Sequence, residues 1–197
     1  MLTSLALPLS VLLGAYLIGS LSSAIILCKV AGLPDPRSQG SGNPGATNVL
    51  RFGGKKLAAL VLGLDVLKGV IPVLIALSFS LPPPWVAGTA FFAFLGHLYP
   101  IFFQFKGGKG VATALGGLLA FSPLLAGLIL LTWLVVFMVS KLSSLAAITA
   151  AALTPIYSFF LIDDSSSRII VIVMAVMLLA RHHTNIRRLL AGEEAKS

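Results

Sequence analysis

Residues 1–28 read MLTSLALPLSVLLGAYLIGSLSSAIILC, without one charged side chain. A run this apolar and this long suits a membrane-spanning helix, which needs about 20 such residues. It lacks the basic start of a cleavable signal peptide and is too long for one, so it is expected to be a retained first span, covering about 4–30. Further apolar segments follow at about 57–80, 84–103, 111–121, 122–140, 142–162 and 168–181. Backbone N–H and C=O groups in lipid must be satisfied within each segment, which makes them helices. Of 197 residues, 57% are hydrophobic and 10% charged, and the mean hydropathy is +1.02. Soluble domains carry ~25% charged residues. The expectation is an all-α integral membrane protein of about seven transmembrane helices, a single polytopic membrane domain over 1–197. The segment at 111–121 is short enough to be a half-span.

Fourteen Lys and Arg stand against six Asp and Glu, a net charge of +8. In a soluble chain that balance would suggest nucleic acid; here it suggests cytoplasmic loops, and no nucleic-acid partner is expected. Alternating the crossings from an external, periplasmic N-terminus puts Lys29, Arg37, Arg51, Lys55, Lys56, Lys106, Lys109, Lys141, Arg181, Arg187, Arg188 and Lys196 on one side, with the C-terminus. The other side receives Pro82-Pro83-Pro84, Phe121-Ser122-Pro123, Asp163-Asp164 and one basic residue, Arg168. The positive-inside rule makes the first side cytoplasmic. A lone Cys28 excludes an intrachain disulfide, and with three His it offers no structural zinc spacing. No metal or cofactor is expected.

Three cytoplasmic stretches, at about 31–56, 96–113 and 181–188, carry the polar chemistry. In the first, Ser41, Gly42, Asn43, Gly45, Thr47 and Asn48 lie close to Arg37 and Arg51. Glycines let backbone N–H groups turn toward an anion, and the small polar side chains add donors. The Gly40–Gly45 spacing matches G-x-G-x-x-G, but it lies between membrane helices and not in a βαβ unit, so a dinucleotide site is rejected. The second stretch holds His97, Lys106, Gly107, Gly108, Lys109 and Gly110 just before an apolar segment. Glycines and lysines at a helix N-terminus make a second anion site. Lys109 is followed by Gly110 and not by Ser or Thr, so it is no Walker A loop. In the third, a helix would bring Arg181, His182 and Asn185 within one turn, while Arg187 and Arg188 suit anionic headgroups. Asp65 and Lys68, three residues apart inside the second span, are expected to form a buried ion pair.

Together these stretches predict a cationic site for phosphate esters, with almost no carboxylates. The carboxylate clusters that hold Mg²⁺ for nucleotide chemistry are missing. So is the H-x-x-x-x-D pairing of soluble-donor acyltransferases: Phe102, Arg187 and Arg188 stand five positions after His97, His182 and His183. Neither His97 nor His182 has a carboxylate partner visible in the sequence.

The run GSGNPGATN (Gly40–Asn48) with Arg51, the run GHLYPIFFQFKGGKGVAT (Gly96–Thr113), and Arg181-His182 with Asn185-Ile186 resemble the acyl-phosphate-dependent glycerol-3-phosphate acyltransferases, the bacterial PlsY family. The likeness spans essentially the whole chain. It implies transfer of a fatty acyl group from acyl phosphate to glycerol 3-phosphate, giving 1-acyl-glycerol 3-phosphate (lysophosphatidate) and phosphate, an early step of phospholipid biosynthesis. It also implies a multi-pass protein of the bacterial inner membrane with its site facing the cytoplasm among membrane lipids. A soluble enzyme that makes acyl phosphate would be a transient partner. Under this reading Arg51, Lys109 and His182 are catalytic. Substrate binding falls to Ser41, Gly42, Asn43, Gly45, Thr47, Asn48, His97, Lys106, Gly108, Gly110, Arg181 and Asn185. His97 or His182, or a substrate phosphate oxygen, would take the proton of the attacking hydroxyl. The competing class is a membrane transporter of a phosphorylated metabolite. Transporters place their site near the midplane, where this chain offers only Asp65 and Lys68.

Overall fold

The computed structural model describes residues 2–195, with side chains from Leu5 onward; Lys196, assigned above to the cytoplasmic side, lies outside the described residues. The elements, all helical, are α1 (Leu2–Gly19), α2 (Ser23–Val30), α3 (Ala46–Ser78), α4 (Pro83–Leu98), α5 (Val111–Phe121), α6 (Pro123–Ser140), α7 (Ser143–Leu161), α8 (Ser165–Arg181) and α9 (His183–Leu190). The first apolar run is thus a bent pair, α1 and α2 meeting at 42°, and a second bend of 56° joins α8 to α9. Among the described residues, four helices are long and apolar enough to cross a membrane, or up to six when each bent pair is one span. α5 is shorter: its 11 residues extend about 16 Å at the helical rise, roughly half the hydrocarbon thickness.

The surface inverts the pattern of a soluble protein. Leu60, Leu124, Val135, Met138, Val139 and Phe160 are exposed, while Asp65, Lys68 and His97 are buried. Such an apolar exterior suits lipid, and the ionisable groups face inward where they find partners. Lys68 Nζ lies 2.8 Å from Asp65 Oδ1, forming the expected ion pair, and also donates to Leu21 O at 2.9 Å. Leu21 lies in the break between α1 and α2. One ammonium therefore neutralises a buried carboxylate and satisfies a carbonyl freed by the bend.

Between helices in lipid there is little hydrophobic drive, so close van der Waals approach and small residues decide the packing. α3 and α5 meet backbone to backbone: a Cβ on Gly116 would overlap Val66 O, and one on Gly69 would overlap Thr113 O. α1 and α4 repeat the device through Gly19 against Ala93 O and Gly96 against Tyr16 O. α3 starts eleven residues before the expected segment and is kinked at Gly54, whose φ of +79° breaks the regular helix.

The α3–α5 contact gives the first prediction. Gly116→Ala should destabilise the detergent-solubilised protein by about 1–3 kcal/mol, the usual cost of overpacking, read as a fall in the thermal unfolding midpoint. Gly127→Ala, where a Cβ meets nothing within 4 Å, should leave the midpoint unchanged. Equal midpoints for the two variants would remove the glycine contact from the forces that hold the bundle.

Candidate functional site

The first polar stretch is organised by its own side chains. Asp35 accepts from the Arg37 backbone N–H at 2.9 Å and from its guanidinium at 2.7–3.1 Å. Those hydrogen bonds hold the Asp35 carboxyl below its ordinary value. Arg37 Nη1 also reaches Phe103 O at 3.3 Å, tying the first stretch to the second. Asn48 Oδ1 accepts from Ser41 N–H at 3.0 Å, while its Nδ2 donates to Pro36 O and Gln39 O at 2.9 Å. Expected as a phosphate ligand, the Asn48 amide is here fully engaged in shaping the loop. Because α3 begins at Ala46 with Gly45 as its N-cap, Thr47, Asn48 and Arg51 stand on its first turns. The leading N–H groups of that helix have no intrahelical acceptor.

The second stretch departs from its expected design. Gly107 and Gly108 are small because His97 fills the space behind them: a Cβ on either would overlap His97 O or its imidazole Nε2. Arg181 donates to Gly107 O at 3.0 Å and to Gly108 O at 3.0–3.2 Å, with its guanidinium 5.5 Å over the Tyr99 ring. Arg181, expected to hold an anion, thus clamps through Nε and Nη2 the turn that presents Lys109. Gly110, with φ +88°, is the N-cap of α5. His97 Nδ1 lies 3.3 Å from Thr113 Oγ1 and 3.7 Å from Asp65 Oδ1. The absence of a carboxylate partner, read from spacing, is corrected for His97: its partner comes from α3, thirty-two positions earlier.

In the third stretch the chain bends at His182, whose side chain is buried. His182 Nδ1 is 2.8 Å from Leu178 O. A carbonyl only accepts, so Nδ1 carries the proton and a neutral ring leaves Nε2 as the free acceptor. Asn185 Oδ1 accepts from Lys109 Nζ, and Asn185 Nδ2 donates to Glu194 Oε1 at 2.6 Å. Ser144 Oγ donates to the same oxygen at 2.7 Å, so the first turn of α7 joins the three stretches.

A cavity of about 340 Å³ unites these parts. Ser41, Asn43, Gly45, Thr47, Asn48, Arg51, His97, Lys109, Gly110, His182 and Asn185 line it. Among the other residues singled out from sequence, Gly42, Lys106, Gly108 and Arg181 do not contribute to the lining. Arg188, assigned above to headgroups, also faces the cavity, as do Ser143, Ser144, Asp65 and Glu194. Two carboxylates therefore border a basin expected to hold almost none. No sequence spacing flagged Glu194, because it follows the last motif and reaches the site through a turn. Beyond the polar end the lining becomes apolar, with Leu62, Val66, Leu115, Leu118, Ile129 and Trp133. Among the described residues, no group of three His, Cys, Asp or Glu side chains could hold a metal ion.

Charge is concentrated at Lys109. Burial lowers its pKa to about 8, and Arg188, Arg181 and Arg51 add to the fall while Glu194 opposes it. An anion bound beside it restores the charged form.

Residues 9–192 match the family model for glycerol-3-phosphate acyltransferase. A glycerol-3-phosphate acyltransferase of Thioalkalivibrio sulfidiphilus is 52% identical over 187 residues, 95% of this chain and 92% of the relative. One from Methylobacillus flagellatus is 58% identical over 184 residues, 93% of each chain. Among solved structures, the glycerol 3-phosphate form of PlsY, an integral membrane glycerol 3-phosphate acyltransferase, superposes with a TM-score of 0.91 at 43% identity, covering 96% of this chain and 95% of its own. Its lysophosphatidic acid form gives 0.88 at the same identity, covering 96% and 94%.

Lys109 predicts the direction of a pH dependence. Its ammonium is present below about 8 and lost above. Binding of sulfate, whose charge is constant through this range, should weaken as pH rises past about 8 when followed by calorimetry on the purified protein. Lys109→Arg should carry the loss to much higher pH, because a guanidinium does not titrate there. Sulfate binding that is flat across this interval in the wild type would take Lys109 out of the anion site.

Proposed function

Since the chain belongs to the glycerol-3-phosphate acyltransferase family, we propose that it moves a fatty acyl group from acyl phosphate to glycerol 3-phosphate, releasing phosphate and giving 1-acyl-glycerol 3-phosphate. The observation that carries this reading is the lining of the cavity. Arg51 and Arg188 act on Lys109 where α3 and α5 begin, and farther along α5 and α6 the same cavity is lined by Leu115, Leu118, Ile129 and Trp133. A donor with a phosphate head and a lipid tail fits that combination of linings. The clustering of Lys and Arg where α3 and α5 begin supports a cytoplasmic site in a bacterial inner membrane. Acyl phosphate would then arrive from a soluble enzyme that makes it.

An acyl phosphate is a mixed anhydride and is already activated. The glycerol hydroxyl oxygen attacks the acyl carbon, an ester C–O bond forms, and the bond from that carbon to the phosphate oxygen breaks with its electron pair leaving on phosphate. The protein's part is to hold two phosphorylated molecules together against their repulsion and to stabilise developing charge. Ser41, Asn43 and Thr47, with the leading N–H groups of α3, hold the donor phosphate. Arg51, Lys109 and Asn185 hold the acceptor phosphate. The hydroxyl proton passes to His182 Nε2, which the Leu178 carbonyl leaves free, or to a phosphate oxygen of the donor.

Purified protein supplied with palmitoyl phosphate and labelled glycerol 3-phosphate should yield a lipid-soluble labelled product. No product with this donor, and product with acyl-CoA, would overturn the donor assignment. Lys109→Ala and Arg51→Ala should each lower kcat/KM by about 100-fold or more while the unfolding midpoint is kept. For His182→Ala, a loss concentrated in kcat assigns the proton transfer to His182, whereas a rise in KM alone assigns it to binding.

A further inference from the structure

Glu194 belongs to none of the three motifs, yet its carboxylate is the most deeply placed group of the chain's last turn, with a side chain only 8% exposed. α9 ends in a tight turn: Gly192 has φ +71°, Gly192 N–H donates to Leu189 O and Glu193 N–H donates to Arg188 O at 2.8 Å. A left-handed glycine after a helix reverses the chain. Here the reversal carries Glu194 back to α7 and into the cavity wall.

Resting on the site assignment above, we propose that Glu194 is a positioning residue for acyl transfer: its carboxylate fixes the orientation of the Asn185 amide and thereby the place of the Lys109 ammonium. An asparagine amide has one accepting and one donating end. An ionised carboxylate only accepts, so Glu194 Oε1 draws the Asn185 NH₂ toward itself at 2.6 Å. That leaves Asn185 Oδ1 facing Lys109, from which it accepts. Ser144 of α7 anchors the carboxylate from the far side at 2.7 Å. A relay of Ser144, Glu194, Asn185 and Lys109 thus links α7, the C-terminal segment, α9 and the α4–α5 turn. Without Glu194 the amide is free to turn its NH₂ toward the lysine, and two donors would face each other.

The charge matters as well as the direction. Lys109 is faced by Arg51 of α3, Arg181 of α8, Arg188 of α9 and Glu194, and it acts on His182 at the α8–α9 bend. α7 contributes the uncharged Ser143 and Ser144 to the same cavity. Against so many cations, Glu194 helps keep Lys109 an ammonium before substrate arrives. Its own burial raises its pKa, but the bonds from Ser144 and Asn185 and the charges of Arg188 and Lys109 outweigh this and hold it ionised.

The test uses the full-length wild type, Glu194→Gln and Glu194→Ala in detergent, with glycerol 3-phosphate binding followed by calorimetry as a function of pH and turnover assayed separately with palmitoyl phosphate. Glu194→Gln keeps an oxygen that can accept from Asn185 and Ser144, loses the charge, and turns the other oxygen, 3.9 Å from Arg188 Nε, into a donor. It should keep the unfolding midpoint, weaken binding at neutral pH less than Glu194→Ala does, and move the alkaline loss of binding to lower pH. Glu194→Ala loses both and should bind about tenfold or more weakly. A Glu194→Gln profile superimposable on the wild type would overturn the proposal, and does so even if Glu194→Ala fails to fold. Tighter binding in Glu194→Ala would also overturn it, by making the carboxylate a competitor of the substrate phosphate. Because binding is read without any donor, a failure of the acyl-phosphate assignment appears only in the turnover assay and is separable from this result.

Discussion

The contact that sets the geometry of the site contains no side chain on one of its faces. Gly69 and Gly116 let the backbones of α3 and α5 approach until a Cβ on either would collide with a carbonyl of the other. α3 carries Arg51 on its second turn, and the turn that opens α5 carries Lys109. Their spacing is therefore a consequence of backbone approach deep in the bundle. In a hydrocarbon solvent, where helix association gains little from apolar burial, such approach is one of the few forces that can fix a helix pair in register.

A second constraint is the buried network of Asp65, Lys68 and His97. Lys68 bonds Asp65 and the Leu21 carbonyl, and His97 approaches Asp65 and Thr113. Through them α3 is pinned to the break between α1 and α2 and to the end of α4. Gly107 and Gly108 rest on His97, and Arg181 closes over their carbonyls. Lys109 is thus presented by a turn held on two sides, by an imidazole below and a guanidinium above. Groups that sequence logic assigns to a ligand here hold other groups still, which is what catalysis by positioning requires.

The site is poised between repulsion and need. Arg51, Lys109 and Arg188 border one cavity, and of the three it is Lys109 whose charge burial penalises most. In the absence of a phosphorylated ligand, Glu194 and the amide of Asn185 are what Lys109 has to lean on. The same cavity is lined both by these charged groups and by Leu115, Leu118, Ile129 and Trp133, so polar and apolar surroundings adjoin in one space.

The sequence alone determined the membrane class, through uncharged stretches as long as 1–28, and the glycerol-3-phosphate acyltransferase family, through runs such as Gly40–Asn48 and Gly96–Thr113. It also disclosed the Asp65–Lys68 pair, because three residues along a helix are neighbours by local geometry. What it did not disclose depends on contacts between distant segments. That Asn48 and Arg181 spend their donors on backbone carbonyls, that Asp65 reaches His97, and that a turn at Gly192 swings Glu194 onto Asn185 are all set by how helices lie against one another. Spacing along the chain reports only neighbours within about a helical turn; a hydrogen-bond partner seventy positions away is chosen by packing, and only the tertiary structure decided it.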